Sequence, residues 1–129
     1  MPLLPLRYGR LWLALGAVMV AVMLYVCLIP DVPGPKFEGV DKIEHVLAWL
    51  VVSAWFASLV ERRGFVRLAI ALVVLGVGIE FAQAFMDIGR QGDWRDVVAN
   101  SLGVAGGMLS VALGGDSWLA RIERWLPAT

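Results

Sequence analysis

Four apolar runs divide this chain, each near the length that crosses a bilayer, and they constrain the fold more than any other feature. They lie at about 11–29, 43–60, 66–86 and 95–113. A backbone in lipid must satisfy its hydrogen bonds within itself, so runs of this kind become helices. The composition agrees: 60% of the 129 residues are hydrophobic and the mean hydropathy is +0.77. The expected fold is all-α: one domain over 1–129, with four transmembrane helices in a bundle.

The first run, Leu11 to Ile29, follows Arg7 and Arg10 and ends at Pro30. It is long for the apolar part of a signal peptide, and three comparable runs follow, so it is read as a retained span. The third run is interrupted by Glu80 and Gln83. The fourth is short unless its helix begins near Asp93. The tail at 116–126 places Trp118, Leu119, Ile122, Trp125 and Leu126 at helical spacing around Arg121 and Arg124. That pattern predicts a short amphipathic helix on a membrane surface.

Basic residues set the expected direction. With the N-terminus inside, Arg7, Arg10, Arg62, Arg63, Arg67, Arg121 and Arg124 are cytoplasmic, and only Lys36, Lys42, Arg90 and Arg95 are outside. The N-in, C-in orientation follows, with outer loops at about 30–42 and 87–96. Net charge is zero and 17% of residues are charged, which excludes a basic nucleic-acid binder. Cys27 is the only cysteine, so no disulfide forms within the chain, and it lacks the small neighbours of a lipid-attachment site. It is expected to be a buried helix residue. No nucleotide or haem motif is present.

Helical geometry gathers the polar residues. Asp41 and His45 are four apart and share a face. Glu80, Gln83 and Asp87 form a second stripe, with Glu80 roughly 10 Å below the outer surface at 1.5 Å per residue. Asp93, Asp96, Asn100, Gly103 and Gly107 form a third. All three polar ends fall on the outer side. Turning them toward lipid costs about 2.5 kcal/mol or more per Asp at a helix centre, so they are expected to face one another. Lys42 and Arg90 are the nearby countercharges. Gly103 and Gly107 offer a small face for close helix approach. Simpler roles stand beside these: Asp41 and Asp93 as helix caps, Arg95 as a solvated charge, and the tryptophans as interface or packing residues. Glu80 fits no such role, because a carboxylate within an apolar span must be paired, protonated or functional.

The segments "DKIEH" (Asp41 to His45), "EFAQ" (Glu80 to Gln83) and "GRQGDWRDVVANSLG" (Gly89 to Gly103) resemble the ordered signatures of VanZ-like membrane proteins. The resemblance covers roughly Asp41 to Gly107. Val46 stands where that family often has an aromatic residue. The resemblance implies a small integral protein of the bacterial cytoplasmic membrane, in a family whose founding member is associated with teicoplanin resistance. Its motif positions fall on Asp41, Lys42, His45, Glu80, Gln83, Arg90, Asp93, Asp96, Asn100 and Gly103. It locates a site and supplies no reaction.

Several functions remain open at this level. The first is binding of a lipid-linked cell-wall precursor, a lipoglycopeptide or another amphiphile among the membrane lipids, with Asp41, Lys42, Gln83, Arg90, Asp93 and Asn100 as ligand-binding candidates. The second is an enzyme acting on a polyprenyl or lipid phosphate. There His45, Glu80 and Asp96 are the catalytic candidates, and Asp93 with Asp96 would hold Mg²⁺. Zinc is disfavoured because His45 is the only histidine. The third is a structural polar network without chemistry. An ion-coupled transporter ranks last, since four spans show no second gate and would need an oligomer.

Overall fold

The computed structural model describes residues 1–29, 39–86, 93–115 and 117–127. The two expected outer loops lie largely outside these residues, and Arg90, Asp87 and Asp116 lie outside them entirely. The described chain is all-helical, in the order α1 (Gly9–Leu28), α2 (Val40–Ala57), α3 (Phe65–Met86), α4 (Trp94–Leu113) and α5 (Trp118–Trp125), with a 3-10 turn at Arg62–Gly64.

Three helical segments are long and apolar enough to cross a membrane: Gly9–Leu28, Arg62–Met86 and Trp94–Leu113. The second helix falls short of that standard. It has 18 residues and opens with Asp41, Lys42 and Glu44. It also begins and ends three residues before the expected span. At its start, Gly39 takes a left-handed conformation, φ 81°, and the acidic first turn complements the helix dipole. At its end, the chain leaves the helix to pair with the N-terminal segment. Leu4 N donates to Leu59 O at 2.8 Å, and Glu61 N donates to Pro2 O at 3.0 Å.

Each long helix exposes one apolar stripe at spacings of three, four or seven. On α1 it is Leu11, Leu15, Val18, Val22 and Tyr25; on α2, Ile43, Leu47 and Val51. On α3 it is Val66, Ile70, Val74, Phe81 and Phe85, and on α4, Val98, Leu102, Leu109 and Leu113. Outward apolar stripes on every long helix leave polar groups only the interior and the two ends.

The tightest contact joins α2 to α4. Glycine makes it possible: a Cβ on Gly103 would overlap the Val46 carbonyl oxygen, and one on Gly107 would overlap Leu50 O and Ser53 Oγ. Trp49, 1% exposed, fills the space beside Gly76 and Gly103. Ser53 Oγ donates across the interface to Gly103 O at 3.3 Å.

One end of the molecule is tied together by the tail. Glu123 on α5 accepts from Arg7 N (2.7 Å), Tyr8 N (2.8 Å) and Trp12 Nε1 (2.7 Å), pinning α5 to the start of α1. Ser117 caps α5 and donates its hydroxyl to Ser58 O at 2.5 Å. Arg62 donates to Ala112 O in the last turn of α4 and to Gly115 O just beyond it. Trp12, Trp55 and Trp118 meet edge to face with centroids 6.0 and 5.3 Å apart. The amphipathic tail is thus divided in use: Leu119 is fully buried against the protein, whereas Trp125 is 88% exposed.

Candidate functional site

The polar residues collect at the opposite end, where α2 begins, α3 ends and α4 begins. Asp93 caps α4, its Oδ1 accepting from Arg95 N at 2.9 Å. That cap turns the chain so that Asp96 and Asn100 face inward, 8% and 2% exposed. On α3, the same geometry buries Glu80 and Gln83, 6% and 3% exposed. Their burial agrees with the helical-face expectation, because Glu80 and Gln83 lie on the side of α3 opposite its exposed stripe.

Lys42 is the hub of the ion pairs. Its Nζ donates to Asp96 Oδ1, lies 2.9 Å from Asp41 Oδ2 and donates to Asp93 Oδ2 at 3.1 Å. The Asp93 carboxyl is held below the usual range, first by the backbone N–H of Arg95 and then by Lys42. Lys42 therefore stands as a bridge among three carboxylates. Asp41, expected to look inward beside His45, has a side chain 53% exposed and meets only the rim through Lys42.

His45 joins the deeper part. Its Nδ1 is 2.7 Å from Asn100 Oδ1. An amide oxygen only accepts, so Nδ1 is the donor in this contact. Nε2 is 3.9 Å from Asp96 Oδ2. Glu80 Oε2 accepts from Asp93 N at 3.2 Å. Its Oε1 is buried with no hydrogen-bond partner among the described residues, as is Asn100 Nδ2. One ligand atom each from His45, Glu80 and Asp96 lies within 4.8 Å of the others. This grouping differs from the expected Asp93–Asp96 metal pair, because Asp93 is occupied as cap and as a partner of Lys42.

Gln83 is placed differently from the expectation that it reads a ligand. It donates to Cys27 O at 2.8 Å, tying α3 to the end of α1. Cys27, expected to be buried, is half-buried.

Sequence reasoning missed a groove between α1 and α2. Its volume is about 430 Å³ and its walls are almost wholly apolar, among them Met19, Met23, Ala48 and Val52. Among the described residues, the charged or ionisable polar side chains on its lining are Glu44 and His45. The only sequence signal for it was the methionine content of α1, which does not say where a groove opens. His45 belongs both to this groove and to the polar cluster.

The chain matches no family model, no curated protein and no solved structure.

Proposed function

We propose that this chain is an integral membrane protein that binds an envelope amphiphile, with the apolar tail in the α1–α2 groove and the head group at the His45 cluster. One observation carries the reading: His45 lines an apolar groove on one side and a buried polar cluster on the other. A molecule with a greasy chain and a polar head matches that division, and a wholly polar solute does not. The VanZ-like resemblance points the same way, toward a cell-envelope role of the teicoplanin-resistance type acting on lipid-linked or lipoglycopeptide molecules.

In this reading α2 is the fourth span of a transmembrane bundle, its Ile43, Leu47 and Val51 stripe facing lipid. The orientation is N-in and C-in. Arg7, Arg62, Arg63, Arg121 and Arg124 stand at or beside the end pinned by Glu123, whereas Lys42 and Arg95 are the described cations at the cluster end. That asymmetry supports an extracytoplasmic position for the cluster. Trp94, 72% exposed, and Trp125 suit the two interfaces.

The test compares lipids that co-purify with the chain in native-membrane nanodiscs. Wild type is expected to enrich one amphiphile class over bulk membrane. Ala48→Trp, which fills the groove, should abolish the enrichment, and Glu80→Ala or Arg90→Ala should weaken it. Identical profiles in wild type and Ala48→Trp would overturn the proposal and leave a structural polar network as the better account.

A further inference from the structure

We infer that His45, Glu80 and Asp96 together hold one divalent transition-metal cation. The inference deepens the amphiphile reading and rests on it only for the cation's purpose, not for its site.

Ligand atoms about 2.1 Å from a metal lie roughly 3 to 4 Å from each other. The three side chains present theirs within 4.8 Å, so a cation draws each in by no more than about 1 Å. They come from α2, α3 and α4, three helices already packed together, so little ordering is left for binding to impose.

Each ligand is also held from behind. His45 donates its Nδ1 proton to Asn100 Oδ1, which fixes the ring and leaves Nε2 as the donor atom. Asp96 gives Oδ1 to Lys42, while Oδ2 faces His45 Nε2 at 3.9 Å. Glu80 gives Oε2 to the backbone N–H of Asp93. Its Oε1 is buried, on a residue only 6% exposed, with no partner among the described residues. A buried carboxylate oxygen without a donor is costly, and a cation satisfies it.

The ligand chemistry selects the ion. One imidazole and two carboxylates suit Mn²⁺ or Fe²⁺, whereas Ca²⁺ and Mg²⁺ favour oxygen-only shells and zinc prefers more than one nitrogen or sulfur ligand. Three protein ligands leave coordination positions for an outside group. The described cluster sets four carboxylates, Asp41, Glu80, Asp93 and Asp96, against two cations, Lys42 and the more peripheral Arg95. A bare phosphate or carboxylate head group is repelled by that balance. A divalent cation at its centre reverses the local field and gives an anionic head group a direct ligand position.

The experiment uses the full chain in detergent, delipidated, stripped with a chelator and titrated with Mn²⁺ while free Mn²⁺ is read by electron paramagnetic resonance. One saturable Mn²⁺ per chain is expected. His45→Ala, Glu80→Gln and Asp96→Asn should each weaken it at least tenfold, and Asn100→Ala by roughly tenfold through loss of support for the ring. Glu61→Gln, at a carboxylate that pairs with Arg63 at the other end of the bundle, should keep affinity within about threefold. Absence of saturable binding in wild type, or equal affinity in wild type and all three ligand variants, overturns the inference. Should a variant misfold, wild type alone decides: its unfolding midpoint must rise with Mn²⁺ concentration, and a flat response overturns the site. Metal binding without an enriched amphiphile overturns only the head-group reading. An enriched amphiphile without metal binding overturns only the cation.

Discussion

Replacing Gly107 with alanine tests the packing that positions the polar cluster. The new Cβ would overlap Leu50 O and Ser53 Oγ and would lie 2.8 Å from Ala54 N. Leu50 O and Ala54 N are backbone atoms of α2 and have no rotamer to escape into. The helices must separate by about 1 Å to restore ordinary contact. Overpacking of this kind costs about 1–3 kcal/mol, and two backbone clashes place it at the upper end. Alanine returns about 1 kcal/mol through helix propensity. The net loss is about 2 kcal/mol, or roughly 25-fold in the folding equilibrium. Gly78→Ala is the internal control, since a Cβ there meets nothing within 4 Å. It should stabilise by roughly 0.5–1 kcal/mol. Unfolding of both variants in a denaturing-detergent titration reads the two signs. If Gly107→Ala matches or exceeds wild type, the close α2–α4 contact is wrong, and with it the placement of His45 against Asp96.

Other outcomes follow from individual contacts. The Glu123 carboxyl lies below its ordinary range. Burial opposes its charge, but donors on Tyr8, Trp12 and Arg7 outweigh that. Its contribution is therefore present above the unfolded value of about 4.3 and is lost as pH falls through the lower folded value. Unfolding midpoints measured from pH 7 to 3 should decline more steeply for wild type than for Glu123→Gln, and parallel curves would contradict the clamp. Lys42→Met, which leaves Asp93 and Asp96 without their shared donor, should lower the thermal midpoint by roughly 5 °C; Lys42→Arg should recover part of it, and an unchanged midpoint in Lys42→Met would discard the hub. A fluorescent protein fused after Thr129 should light up in the cytoplasm, while an extracytoplasmic phosphatase fused there should stay inactive. The reverse pattern would invert the proposed orientation.

Much of the helical layout was legible because apolar run length and helix length obey the same geometry. The observed α1, α3 and α4 begin and end within two residues of the expected spans. Periodicity also placed Glu80, Asp96 and Asn100 on inward faces. It could not show what stands across from each face. Gln83 meets a backbone carbonyl at the end of α1, and Lys42 is shared by three carboxylates; both contacts depend on distant chain segments. Glu123 was overlooked because an acid between two arginines on a short helix reads as a solvated charge. Its role appears only when α5 folds back on Arg7, Tyr8 and Trp12. The ends of α2 moved for a similar reason: residues 58–60 are apolar enough to continue a helix, yet they pair with the N-terminal segment.

The groove and cluster meet at His45, and the central claim is that one amphiphile spans both. Photocrosslinking in cells tests it most directly, with benzoylphenylalanine at Ala48 in the groove and at Ile70, an exposed apolar position on α3. Position 48 is expected to capture a single amphiphile class, and position 70 bulk membrane lipid. Capture of the same lipid mixture at both positions would contradict it.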